Sequence, residues 1–77
     1  MDNMTRSMEV DGVRLRELRE ERALSQRDLS ARCGVSQDTI GQIERGDRRA
    51  QHRTVRTLAS ALGVETKELM RKVDNYD

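Results

Sequence analysis

The chain has one cysteine, one histidine, one aromatic residue and no proline, phenylalanine or tryptophan among its 77 residues. Each shortage removes a class of protein. A lone Cys33 leaves no intramolecular disulfide framework and no multi-cysteine metal site, and it suits a reducing, cytoplasmic compartment. No window approaches the ~18 apolar residues that a membrane span needs, and no signal-peptide core is present. A chain this short has little concave, water-excluding volume to spare, so a catalytic pocket is not expected. No acid/base pair, nucleophile constellation, cofactor box or metal-ligand spacing is present either, which argues against an enzyme. The core must be built from Leu, Ile, Val, Ala and Met, in one domain near the lower size limit for folding without staples.

What the sequence does have is arginine. Thirteen of the 15 basic residues are Arg, yet the net charge is only +1. The excess is local. Five Arg and one Asp fall between Arg45 and Arg56, whereas Val64 to Asp77 carries three basic and four acidic residues. A positive segment beside an acidic tail points to one face meant for an anion.

The chain punctuates itself as helices. Residues 1–10 show no period and read as a disordered leader, with the domain expected over 11–72 and a flexible tail over 73–77. Asp11 can cap a first helix that carries Val13, Leu15 and Leu18 and ends near Arg22. Ser25-Gln26-Arg27-Asp28 has the form of a capping box and opens a short second helix with Leu29 and Cys33 on one face. Gly34 stops it. Ser36 caps a third helix, Gln37 to Arg45, which Gly46 ends. Asp47 to Gln51 is a charged loop. A fourth helix, roughly His52 to Leu62, has Val55, Leu58, Ala59 and Leu62 on one stripe before Gly63. A fifth, about Thr66 to Lys72, would contribute Leu69 and Met70. The expected fold is all-α, a compact five-helix bundle.

Two short helices joined by a glycine-containing turn of about three residues have the form of a helix-turn-helix. Leu29, Val35, Ile40 and Ile43 make the apolar seam, with Ser30 and Gly34 expected where the two helices approach most closely. At 100° per residue from Gln37, the two isoleucines centre at about 270°, and Asp38, Gly41, Gln42 and Arg45 occupy the opposite face. Amides and arginine suit a major groove, where amides bond adenine and Arg bonds guanine or phosphate. Gly41 would let the helix backbone approach the bases.

The segment LSQRDLSARCGVSQDTIGQIERG, followed by TLASALGV, resembles the phage-repressor (Cro-type, XRE) helix-turn-helix family over about Leu15 to Met70. The resemblance implies a lambda-repressor-like fold whose third helix enters the major groove of double-stranded DNA, in a dimer on a two-fold site. It implies base reading by Gln37, Asp38 and Gln42, and DNA-backbone contacts by Gln26, Arg45, Arg48 and Arg49. It also implies an ion pair between Arg19 and Glu44. The wheel supports that pair independently, since Arg19 sits about 40° from Leu15 on the inward side and a half-buried Arg needs a carboxylate. Thr39 adds a base contact and Arg53 a phosphate contact to the set. The expected function is transcriptional regulation, with repression as the expected sign.

The chain departs from the family in places. After the charged loop, Ala50, Gln51 and His52 stand where a helix cap is usual, so the fourth helix starts poorly capped. Asp38 either accepts from a cytosine amino group or stabilises the positive end of helix three. His52 reads as a helix-start residue and Cys33 as a small core residue. A homodimer surface is expected around Leu69 and Met70. The alternative from another class is a protein-interaction module on the same fold, with the C-terminal segment holding a protein partner. Many members of that family carry a further C-terminal domain, so a longer parent protein fits the resemblance as well.

Overall fold

A computed structural model describes the backbone of residues 6–74 and the side chains of residues 9–70. In chain order, strand β1 (Arg6–Val10) is followed by α1 (Gly12–Glu21), α2 (Gln26–Cys33), α3 (Gln37–Arg45) and α4 (His52–Leu62). A single 3-10 turn, Thr66–Leu69, then leads into strand β2 (Met70–Asp74).

Local chemistry sets the helix ends. Asp11 accepts from the Arg14 amide at 3.1 Å and starts α1. Ser25 and Asp28 cap α2 reciprocally, each side chain accepting from the other's amide at 2.9 Å. The Ser25 amide, donating to the Asp28 carboxyl, and the Ser25 hydroxyl beside it lower that carboxyl's pKa from its ordinary value. Ser36 accepts from the Thr39 amide at 3.1 Å at the start of α3. The turn between α2 and α3 needs Gly34 because its φ is 78°. A Cβ there would meet nothing within 4 Å, so backbone conformation and not close helix approach demands the glycine.

α4 begins without help. Its N-cap, Gln51, makes no side-chain hydrogen bond to the helix. Gln51→Ser should therefore raise the unfolding free energy by about 1 kcal/mol, read as a higher urea midpoint at unchanged slope. An unchanged midpoint would mean that the orphan amides of α4 are already satisfied.

The four helices bury one aliphatic core, with Leu15, Leu29, Ile40, Leu58 and Leu69 each 0% exposed. Arg22 clips two helix ends to it, donating to the Leu62 carbonyl at 2.6 Å and to the Leu18 carbonyl at 3.0 Å.

Two expectations about the ends of the chain need correction. Thr66 to Lys72 is not a fifth helix. It makes one 3-10 turn and then extends, because Met70–Asp74 pairs antiparallel with Arg6–Val10. The register sets Arg6 opposite Asp74 and Glu9 opposite Arg71. Residues 6–10, expected within an irregular leader, thus belong to a two-stranded ribbon; residues 1–5 and 75–77 lie outside the described residues. Leu69 is also fully buried, so it offers no surface to a second copy, and Met70 packs partly against the core.

Candidate nucleic-acid interface

α3 turns Ile40 and Ile43 into the core, which leaves Gln37 and Asp38 exposed at its start and Gln42 half-buried along its outer side. Thr39 is less open than expected. Its hydroxyl oxygen accepts from Ser36 Oγ at 2.8 Å, so it belongs to the cap as well as to the surface. Asp38 stands in the first turn of α3, where its charge complements the positive helix end.

Around this face lie the arginines. Arg48 Nη1 donates to Gln42 Oε1 at 3.3 Å and so aims the amide. Arg45 Nε donates to Asp47 Oδ2 at 3.0 Å in an exposed pair. Arg49 Nη2 lies 3.1 Å from Glu9 Oε2, a contact to β1 that the sequence did not signal. Arg53 is exposed in the first turn of α4, beside the exposed His52. Arg53 and Arg56 also line a shallow groove of about 370 Å³ with Arg32 and the half-buried Cys33.

Behind the face is a network that joins three helices. Arg19 of α1 binds Glu44 of α3 side-on, Nε to Oε2 at 2.6 Å and Nη2 to Oε1 at 3.0 Å. Its remaining nitrogen, Nη1, donates to the Leu24 carbonyl at 2.8 Å. The Arg19 and Glu44 side chains are 9% and 3% exposed, which makes this the buried pair among the ion pairs of the described residues. The Glu44 hydrogen bond pushes Arg19 further toward its charged form. Gln26 of α2 joins in, Nε2 donating to Glu44 Oε1 at 3.1 Å. An amide nitrogen carries two N–H groups, so Gln26 keeps one to offer outward.

Gly41 is placed differently from the wheel's prediction. It is buried, not exposed, and a Cβ there would lie 3.4 Å from Gln26 Oε1 and 3.3 Å from Arg45 Nη1. The Gln26 side chain and the end of Arg45 cover this position, each leaving about the room of one van der Waals contact.

The capped α2, the turn at Gly34 and the α3 face form a helix-turn-helix. The helix-turn-helix family profile (HTH_3) matches residues 15–69. The uncharacterised HTH-type transcriptional regulator y4dJ of Sinorhizobium fredii is 40% identical over 63 residues, 82% of each chain. The HTH-type transcriptional repressor RghR of Bacillus subtilis is 42% identical over 66 residues, 84% of this chain but 49% of its own length. Among solved structures, the restriction-modification controller protein C.AhdI from Aeromonas hydrophila superposes with a TM-score of 0.74 at 41% identity, covering 75% of this chain and 88% of that one. The chain belongs to the XRE-type helix-turn-helix family.

Proposed function

We propose that this chain is a sequence-specific, double-stranded-DNA-binding transcriptional regulator, with repression as its mode, and that α3 is its reading helix. The observation that carries the reading is the outer side of α3. Gln37, Asp38, Thr39 and Gln42 line it within reach of solvent, its last residue is Arg45, and the loop that follows supplies Arg48 and Arg49. Base edges in the major groove are read by amides and carboxylates, while arginines neutralise phosphates and supply salt-dependent affinity. Gln26, through its second N–H, and Arg53 extend the phosphate contacts on either side.

Gln42 carries the most specific expectation. Arg48 occupies one lone pair of its Oε1. The second lone pair and the free Nε2 can bond N6 and N7 of adenine. Gln42→Ala should relax specificity at one base pair at a cost of about 1–3 kcal/mol. In-vitro selection of bound DNA with both proteins checks this. Identical selected motifs would remove α3 from the reading role.

One reading head spans few base pairs, so binding as a dimer on half-sites roughly 34 Å apart completes the proposal. The selected motif should then be palindromic. RghR is described as a repressor and y4dJ as a transcriptional regulator, which supports the same class of function here. The chain spans 49% of RghR, and a further C-terminal domain remains part of the proposal for a longer parent. Failure to bind duplex DNA at any salt concentration would replace this reading with a protein-interaction module.

A further inference from the structure

A carboxylate from the start of the sequence stands among the arginines at the end of α3 and in the loop after it. Glu9 Oε2 lies 3.1 Å from Arg49 Nη2, and the two side chains are 25% and 88% exposed. Both residues line a cleft of about 340 Å³ whose wall also includes Arg45 and Arg48. Asp11, the other acid of that cleft, is committed to capping α1 through the Arg14 amide. Glu9, which stands opposite Arg71 in the strand register, is therefore the carboxylate of that cleft that meets Arg49.

The two partners are not equally free to move. Glu9 sits on β1, whose end is held by Val10 against the core and by the Asp11 amide on the Leu69 carbonyl at 2.7 Å. Arg49 stands almost wholly in solvent. When an external anion approaches, Arg49 swings and Glu9 stays behind. Its charge then faces that anion without Arg49 between them.

We infer that Glu9 competes with DNA phosphate for Arg49 and so sets the sequence-independent affinity of the interface from outside the helix-turn-helix. This rests on the DNA-binding reading above. Each encounter with DNA must open the Glu9–Arg49 pair before Arg49 contributes a phosphate contact. The carboxylate that competes is carried by β1, the strand that pairs with β2, and not by any helix of the helix-turn-helix.

The test is a double-mutant cycle read by fluorescence anisotropy on a random-sequence duplex over a range of salt concentrations. The proteins are wild type, Glu9→Gln, Arg49→Ala and the double variant. Glu9→Gln keeps the length of the side chain and removes its charge. It should bind up to about fivefold more tightly at low salt, the upper end for an exposed ion pair. Its log–log salt slope should steepen by about one. In the Arg49→Ala background the same substitution should give a clearly smaller gain, because only the repulsion of phosphate by Glu9 is then relieved and no pair has to open. An equal gain in both backgrounds would mean general repulsion and overturn the competition; so would no gain at all. If wild type itself shows no salt-dependent binding, the DNA-binding reading fails first and this inference falls with it.

Discussion

Glu44→Ala is expected to cost about 3–5 kcal/mol of unfolding free energy, because it leaves the Arg19 guanidinium buried without a counter-charge. A domain of this size has a stability on the order of 4–11 kcal/mol, so the loss removes a large share of it and, at the lower end of that range, leaves the variant partly unfolded at 25 °C. The expectation rests on burial as much as on distance. At 9% and 3% exposure neither side chain can retreat into solvent without moving its helix. Solvated pairs such as Arg16–Glu20, at 65% and 55% exposure, belong to the class worth about 0.3–0.5 kcal/mol. Urea denaturation followed by circular dichroism measures the difference. The paired replacement Arg19→Met/Glu44→Leu removes both charges and should lie closer to wild type than Glu44→Ala does. Some loss should remain, since the Leu24 carbonyl gives up its Arg19 donor. A Glu44→Ala loss below about 1 kcal/mol would show that water already screens the pair.

The same network explains why α3 is held firmly enough to read. Arg19 fixes Glu44 from α1, and Gln26 fixes it from α2. The reading helix is thus oriented from both neighbours through one carboxylate in its last turn. Loss of that carboxylate should blur sequence discrimination even in molecules that remain folded.

Signals that act within three or four residues were legible in the sequence. The Ser25–Asp28 capping box, the Ser36 cap and the stops at Gly34, Gly46 and Gly63 place α2, α3 and α4 where the structure has them. The uncapped start of α4 was legible for the same reason. What failed to show was non-local. β1 and β2 pair across some 60 residues of intervening helices, and a strand of five residues has no periodicity of its own to announce that. The wheel put Gly41 on the outer face because a wheel sees one helix at a time. Gln26 crosses that face from α2, which only the packing reveals. Glu9 was hidden similarly, inside a segment that reads as leader and meets Arg49 only after folding.

Gly12→Ala separates these two levels most sharply, because they predict opposite signs. Gly12 is the first residue of α1, where alanine favours helix over glycine by up to about 1 kcal/mol in an exposed interior. Local propensity alone would make the substitution neutral or stabilising. Packing says otherwise. A Cβ on Gly12 would overlap the Ile43 carbonyl oxygen and lie 2.8 Å from the Glu44 carbonyl oxygen. Both obstacles are backbone, so no side chain can rotate out of the way, and α1 must move off the C-terminal turn of α3. That displacement pulls Arg19 from Glu44 as well, since both pairs of residues span the same α1–α3 contact. The expected loss is about 3 kcal/mol or more, at the upper end of overpacking costs. Gly34→Ala gives the scale for backbone conformation alone. Its φ of 78° is unfavourable for alanine but its Cβ meets nothing, so it should lose only about 1–2 kcal/mol. Urea midpoints that rank Gly12→Ala below Gly34→Ala would establish that the α1–α3 approach is closed by backbone contact. The reverse order, or a stabilised Gly12→Ala, would show that α1 can stand off from α3 and that Arg19 and Glu44 alone hold the reading helix in place.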